Sequence, residues 1–225
     1  MNTGMDLWAI CSDCQHKHAV HDDPSGLAQS WLDWKAKHLN HKIALVTGGG
    51  YGHWPGFKDN ANVKMAYASS ATYTITIASL AADTNLLAGR NGTAVSNTSN
   101  LYLDYIIAGF ISLGTVSATG TIEVWMYGSL DDTPNYPDTI TASDANVTLT
   151  SLTTKQMGLN MWQVIPTENS SNRKYSLRPI GMAALFNGQI PKNHGPYVVQ
   201  STGAALNATG TNHEIAYTGV YATVI

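Results

Sequence analysis

Four side chains near the start of the chain have the types and the spacing of a metal site. Cys11 and Cys14 form a C-x2-C pair, and His38 and His41 form an H-x2-H pair after 23 intervening residues. A tight turn can direct two thiolates at one ion, and two His residues one helical turn apart project from one face. We therefore predict a structural Zn²⁺ ion with four protein ligands and no open position for a catalytic water.

Other interpretations of this region remain open. His16, His18 or His21 could replace one of the two paired His residues as a ligand. The Cys residues could also be a redox pair, although no βαβ context for a thioredoxin-like motif surrounds them, or incidental thiols in a His-rich region. Fewer than about 50 residues can barely hold a core unaided, which favours a metal ion as a staple.

The surrounding sequence indicates the elements that would position these ligands. Pro24 and the acidic residues before it are typical of a helix start, and Trp31, Trp34 and His38 follow at helical spacing. A short strand, the Cys turn, a second short strand around 18–21, this helix and the His pair resemble a Cys2His2 zinc finger. The spacing departs from the usual pattern, which has about 12 residues between the pairs and three to five between the His residues.

Composition changes sharply near residue 50, which predicts a division of the chain. Thr occurs only at positions 3 and 47 before residue 60 and 22 times afterwards, whereas both Cys residues lie in the first part. The stretch TGGGYGHWPG, which starts at Thr47, is typical of a flexible connection. We predict a zinc-finger-like domain at 1–46, a Gly-rich linker at 47–62 and a larger domain at 63–225, with no repeat of the solenoid or propeller kind.

The larger domain has the pattern of a mainly β protein. Segment 121–128 alternates, so that one face carries Ile122, Val124 and Met126 and the other carries Glu123, Trp125 and Tyr127. Segment 72–80 also alternates, with Tyr73, Ile75 and Ile77 on one side. Further strands are predicted at 101–113, 147–152, 157–165, 174–186, 196–201 and 213–224.

The segments between these strands carry turn signals and no convincing helical stripe. Turn-forming runs start at Gly89, Ala118, Asp131, Glu168 and Ala208. Doubly wound α/β architectures need a helix between strands and are therefore excluded. About eight strands with long Ser/Thr/Asn loops predict an antiparallel β-sandwich of the jelly-roll kind.

Charge and composition exclude several classes of protein. Only 12% of residues are charged, the formal net charge is −3 and the pI is about 6.2, which argues against a nucleic-acid-binding protein. Residues 1–46 carry four Lys against five Asp, so the finger-like region lacks a basic face and suits protein docking. No apolar run approaches a membrane span, and the first residues lack the features of a signal peptide, so we expect neither.

Catalytic signatures are missing from the sequence. There is no G-x-S-x-G elbow, P-loop, G-x-G-x-x-G in a strand-to-helix setting or H-E-x-x-H motif. Asp131 and Asp132 could suggest acid/base work on a sugar, but adjacent Asp residues in a Thr-Pro turn are more typical of a solvated loop. His194 and His213 fall in loop-like or strand-edge positions and are interpreted as ordinary polar residues. We therefore predict that the protein is not an enzyme.

Three stretches of the larger domain resemble a known class of protein. The runs 82–105, 121–133 (TIEVWMYGSLDDT) and 213–224 are similar to virion structural proteins of tailed bacteriophages, and the likeness covers roughly residues 70–225. The resemblance implies a component of a particle. Head decoration (cement) proteins and tail or fibre components with jelly-roll bodies are the classes that it favours.

Composition and resemblance together give one functional expectation and two alternatives. We expect a virion protein, assembled in the host cytoplasm, that docks on major capsid protein or tail subunits and on copies of itself as a homo-oligomer, with capsid decoration favoured. One alternative is a tail or fibre component whose loops bind host glycans, with Trp125 and Trp162 as the aromatic candidates. The other is a glycan-cleaving enzyme built on Asp131 and Asp132.

Overall fold

The fold is taken from a computed structural model, which describes residues 7–11, 13, 17–20, 37, 43–47, 63–115 and 118–224. The chain divides into two compact units, Met1–Lys64 with Val224–Ile225, and Met65–Thr223. The protein is mainly β, with 43% strand and 9% helix, and its sheets are antiparallel. One sheet curls into a half-barrel.

The first unit contains a three-stranded antiparallel sheet. Strands β1 (Leu7–Cys11), β2 (Lys17–Val20) and β3 (Ile43–Thr47) lie in the order β2-β1-β3. The pairing sets Trp8 opposite both Ala19 and Val46, so β1 is the central strand. Apolar and β-branched residues dominate β3, which is the composition expected of a strand.

The zinc-finger layout predicted for residues 1–46 is not supported. Strands β1 and β2 lie where two short strands were expected, but β3 is a third strand that a ββα finger does not contain. The apolar run IALVT carried the signal for β3, and the prediction passed over it because the His pair was taken as the end of the domain. Of the predicted helix, only Lys37 lies among the described residues, and it is helical.

From residue 63 onward the chain forms strands that are joined by short helices and loops. The strands are β4 (Val63–Tyr67), β5 (Ala71–Thr72), β6 (Ala88–Asn91), β7 (Val95–Ser96), β8 (Asp104–Ser112), β9 (Thr121–Ser129), β10 (Ala145–Thr148), β11 (Asn160–Pro166), β12 (Lys174–Gly181), β13 (Asn193–Gln200) and β14 (Glu214–Val224). The helices are α1 (Leu152–Gly158), α2 (Met182–Leu185) and a 3₁₀ turn at Gly210–Asn212.

These strands form two antiparallel sheets. A six-stranded sheet has the order β10-β6-β13-β9-β11, with β7 also paired to β13. A five-stranded sheet has the order β12-β8-β14-β4, with β5 also paired to β14. All eight residues of β13 are buried, because this strand lies in the middle of the first sheet and is covered on both faces.

One hydrophobic core takes side chains from both sheets. The six-stranded sheet contributes Ile122, Val124 and Met126 of β9, and the five-stranded sheet contributes Ile107 of β8 and Ile215 of β14. Each of these five side chains is at most 1% exposed. Burial of such a side chain stabilises the fold by about 1.5–3 kcal/mol, so the shared core joins the two sheets.

The opposite face of the six-stranded sheet carries a second core. Trp125 and Tyr127 of β9 pack there with Tyr197 of β13 and with Leu149 and Leu159 from the segment that joins β9 to β11. The alternation predicted for segment 121–128 is therefore confirmed on both faces. Both faces are buried because the segment between β9 and β11, which includes α1, folds back over the sheet.

Several local predictions differ from the structure. Segment 73–80 has no strand, although Tyr73 and Ile77 are buried as expected, because its backbone N–H groups bond to separate partners such as the carbonyl oxygen of Ile215. The turn predicted at Gly89 is wrong, since β6 passes through it. Helix α1 was not expected, and it starts with a capping box between Ser151 and Thr154.

Candidate docking surface

The predicted zinc ligands lie almost entirely outside the described residues. Cys11 is the last residue of β1, and only its backbone is described, while Cys14, His38 and His41 are outside the described ranges. Of the alternative ligands, only His18 is placed, in β2 opposite Ala9. Within the part of the chain that the structure describes, no group of three or more His, Cys, Asp or Glu side chains could hold a metal ion. The four-ligand zinc site therefore stays a prediction.

The adjacent carboxylates Asp131 and Asp132 lie in the exposed turn after β9. A carboxylate oxygen of Asp132 accepts a hydrogen bond from Lys192 over 2.7 Å. This hydrogen bond and the charge of Lys192 lower the pKa of the Asp132 carboxyl. A general acid in glycoside hydrolysis needs a raised pKa, so the geometry favours the solvated turn over acid/base chemistry.

His194, expected in a loop-like or strand-edge position, is the second residue of β13. The side chain is fully buried, and its Nδ1 atom lies 2.8 Å from the hydroxyl oxygen of Tyr73. The ring meets Tyr105 edge-on at a centroid distance of 4.5 Å. Burial lowers the pKa of His194 to about 4, so the ring is neutral at pH 7 and serves as a polar core group.

His213 links two segments of the larger unit. Its Nε2 atom lies 2.8 Å from the carbonyl oxygen of Asn207, and its Nδ1 atom accepts a hydrogen bond from the backbone N–H of Ser112. Burial lowers its pKa. Both contacts are with backbone groups, which makes His213 a structural residue, in line with its interpretation from the sequence.

The two Trp residues considered for glycan binding are core residues. Trp125 is 4% exposed, and its indole N–H donates to Glu123 over 2.9 Å. Trp162 is 9% exposed, and its indole N–H donates to the carbonyl oxygen of Arg178. A sugar ring stacks on an exposed aromatic face, so neither side chain provides a glycan platform.

A buried ion pair lies beside Trp125. The Nζ atom of Lys155 in α1 lies 2.8 Å from Oε2 of Glu123 and 2.7 Å from the carbonyl oxygen of Leu86. It also lies 5.2 Å from the centre of the Trp125 ring. The sequence indicated such a pair in part. Glu123 shares a strand face with two aromatic residues, and a carboxylate buried there needs a partner.

Large apolar side chains remain exposed on β4, on β14 and in segment 101–103. These side chains are Met65 (57% exposed), Tyr67 (62%), Leu101 (73%), Leu103 (56%) and Tyr221 (37%), and we call them the apolar edge surface. They include three residues that line an open groove of about 520 Å³, namely Leu101, Leu103 and Tyr221. Among the described residues, none that lines this groove is charged.

Backbone hydrogen bonds hold the apolar edge surface in place. The N–H of Leu103 donates to the carbonyl oxygen of Val220 over 2.7 Å, and the N–H of Ala68 donates to that of Gly219 over 2.8 Å. A Cβ atom at Gly219 would overlap the Tyr102 ring, so the absence of a side chain there lets Tyr102 lie flat on β14. These hydrogen bonds and the packing of Tyr102 fix the surface to the sheet.

The groove lined by Leu101, Leu103 and Tyr221 suits contact with another protein. Monomeric soluble proteins expose few contiguous apolar patches, and larger ones mark interaction sites. Among the described residues, no helix is both long enough and apolar enough to cross a lipid bilayer. Sequence reasoning missed this surface, because the exposure of Leu101 and Leu103 depends on how the sheets end and not on local periodicity.

Comparison with known proteins adds no family to this picture. No protein-family model matches the chain, and no curated protein is significantly similar to it. A function for this chain must therefore be inferred from its residues and their geometry.

Proposed function

We propose that the chain is a non-enzymatic structural protein of a tailed-bacteriophage particle, and that it acts as a capsid decoration (cement) protein. The observation that carries this proposal is the apolar edge surface, whose five side chains stay 37–73% exposed. The same unit buries two hydrophobic clusters. Its fold can therefore bury apolar side chains, yet these five remain exposed. A decoration protein needs such a surface to dock on neighbouring subunits.

The fold that we propose for the larger domain is a jelly-roll-like β-sandwich. Two antiparallel sheets share one core, and the chain changes sheet from β8 to β9, from β11 to β12, from β12 to β13 and from β13 to β14. Repeated crossing between two sheets is how jelly rolls are wound. Such a body offers loops at both ends and sheet edges at its sides for contacts within a particle.

The partners that we propose are other virion proteins, namely major capsid protein or tail subunits, and copies of the chain itself in a homo-oligomer. Residues 65–223 carry nine Asp and Glu against six Lys and Arg, a balance that disfavours binding to nucleic acid. The described residues that line the groove are uncharged, which disfavours an ionic ligand. Assembly into the virion would take place in the host cytoplasm, without a membrane partner.

The role that we propose for the N-terminal region is docking, with zinc as a staple. Cys11, Cys14, His38 and His41 would hold the ion. A Gly-rich linker at 47–62 would let this region reach an adjacent subunit.

The alternative of a tail or fibre component with glycan-binding loops has less support. Its two aromatic candidates, Trp125 and Trp162, are buried. Binding to a panel of host polysaccharides would favour the alternative, and Trp125→Phe should leave any such binding unchanged because the ring does not reach the surface.

Deletion of the gene from the phage that encodes the chain tests the decoration role. The deletion mutant should form particles that adsorb to cells at the normal rate but release their genome at a lower temperature than wild-type particles. Added purified protein should restore the heat resistance. Normal heat resistance combined with lost adsorption would point to the tail, and a deletion mutant equal to wild type in both assays would overturn the proposal.

A further inference from the structure

The outer strands of the two sheets differ in how their edges are protected. Strand β10 has only four residues. Strand β11 contains a register shift after Met161 and ends at Pro166, and β12 contains a register shift after Leu177 that includes Pro179. Short length, bulges and proline are the features that prevent an outer strand from pairing with another chain.

Strand β4 has five residues and carries a single charge, on the exposed Lys64. Within the described residues it pairs with β14 alone, and its sequence VKMAY contains no proline. Its large side chains are exposed, with Met65 at 57% and Tyr67 at 62%. An exposed apolar edge strand is a template for pairing with a further strand.

The backbone hydrogen-bonding groups of β4 that point away from β14 belong to alternate residues of the strand. The N–H of Ala68 donates to Gly219 of β14, so that residue faces the sheet. Backbone groups of alternate residues in an antiparallel strand point to opposite sides. Lys64 and Ala66 therefore share the direction of Ala68, and Met65 and Tyr67 direct their N–H and C=O groups to the edge that no described strand occupies.

We propose that this edge pairs with β4 of a second copy of the chain, antiparallel and about a two-fold axis beside Met65. In that register Met65 exchanges both backbone hydrogen bonds with Met65 of the second copy, and Val63 does the same with Tyr67. Lys64 lies opposite Ala66 and not opposite a second Lys64, so like charges are not paired directly. The five-stranded sheet then continues into the second copy.

A second copy fits this edge because the pairing is self-complementary. A two-fold interface uses the same surface on both subunits, and a five-residue strand centred on Met65 meets this condition without an offset. Leu101, Leu103 and Tyr221 lie at β14 in the same sheet, where they line the apolar groove. The pairing gives the proposed homo-oligomer a specific contact, and for its role in a particle it rests on the proposed function.

Sedimentation analysis of the full chain with matched variants tests the pairing. Wild-type protein should have twice the 24.1 kDa mass of one chain. Met65→Lys should be monomeric, because the two-fold axis would place two Lys side chains directly opposite each other. Met157→Lys makes the same change at an 84% exposed position of α1 and should remain a dimer.

A second variant separates loss of the pairing from loss of the fold. Met65→Pro removes an edge-facing N–H and leaves the bonds of Ala66 to β14, so it should be folded by circular dichroism and monomeric. In wild-type protein, exchange of the Met65 and Tyr67 amides should slow as concentration rises, while exchange of the Ala66 amide stays constant.

Several outcomes would overturn the pairing. These are a monomeric wild-type protein, an oligomer whose mass Met65→Lys leaves unchanged, and Met65 and Tyr67 amides that exchange at a rate independent of concentration. The proposed function fails separately. A dimer that never enters particles would contradict the virion role and leave the pairing intact. A monomeric chain that enters particles would contradict the pairing and leave the virion role intact.

Discussion

Lys155 donates a hydrogen bond to Glu123 across 2.8 Å, and this ion pair ties helix α1 to the middle of the six-stranded sheet. The Lys155 side chain is 2% exposed and that of Glu123 13%. The ammonium group also donates to the carbonyl oxygen of Leu86 and lies over the Trp125 ring, so its donors are used within the fold. This arrangement satisfies the charges that the segment between β9 and β11 covers.

Loss of one partner of this pair should destabilise the fold strongly. Lys155→Met leaves the Glu123 carboxylate buried without its cation, which typically costs about 3–5 kcal/mol. Denaturant unfolding should show that loss in the free energy of unfolding. Glu123→Gln added to Lys155→Met should recover part of it, because the uncompensated charge is removed.

The exposed pair of Lys192 and Asp132 is the matched control for this prediction. Its side chains are 47% and 87% exposed, and such exposed pairs contribute little to stability. Lys192→Met should therefore change the free energy of unfolding little. Equal losses in the Lys155→Met and Lys192→Met variants would show that burial does not govern the contribution of these pairs.

His194 should make the stability of the fold fall in mild acid. Burial lowers its pKa from 6.5 to about 4, and the groups that face it are the phenols of Tyr73 and Tyr105. Above pH 6.5 the ring is neutral in both states, and this contribution is fully present. As pH falls from 6.5 to 4 the unfolded chain binds the proton first, so about 3 kcal/mol of stability is lost.

Unfolding measured between pH 7 and pH 4 in wild type and in His194→Gln checks this effect. The variant should start less stable at pH 7 because the cavity and the bond to Tyr73 are altered, but its stability should fall less steeply with acid. Other His residues contribute equally to both proteins. Parallel pH profiles would contradict the assignment.

Asp144 should add a second loss at lower pH. Burial acts to raise the pKa of its carboxyl, but hydrogen bonds from Arg90 and Thr76 prevail and lower it from 3.8 to about 2. The stabilisation is present above pH 3.8 and is lost as pH falls to 2, with a magnitude of about 2 kcal/mol. Asp144→Asn should lose this stability at pH 7 and show a flatter profile between pH 4 and pH 2. An unchanged free energy of unfolding at pH 7 would argue against it.

Elemental analysis should find one zinc per chain if Cys11, Cys14, His38 and His41 hold the ion. Cys11→Ser with Cys14→Ser should remove the metal, and a chelator should unfold the N-terminal region because metal binding is coupled to folding in small domains. His18→Ala is the control and should keep the zinc. Loss of zinc from His18→Ala but not from His41→Ala would move the site to the alternative ligand set.

The elements that were predictable from the sequence are those in which local pattern and burial agree. Strand β9 is the clearest case, since its alternation matches two buried faces. At Gly89 the pattern misled, because glycine is required there by the close approach of β13 and not by a turn. A Cβ atom at that position would overlap the carbonyl oxygen of Val198.

Other features depend on contacts between distant segments and could not be read from local pattern. Lys155 sits in a polar run, and its burial depends on Glu123 and Leu86, which lie 32 and 69 residues away. His194 lies just before the strand predicted at 196–201, yet β13 begins at Asn193 and is fully buried. The apolar edge surface likewise follows from where the sheets end.

Quantitative mass spectrometry of purified particles tests the virion role most directly. Particles are prepared from the phage that encodes the chain and separated from free protein by a density gradient. The chain should stay with intact particles at a fixed ratio to the major capsid protein. Its absence from particles that contain all other structural proteins, with recovery of the chain only in the soluble fraction, would contradict the account.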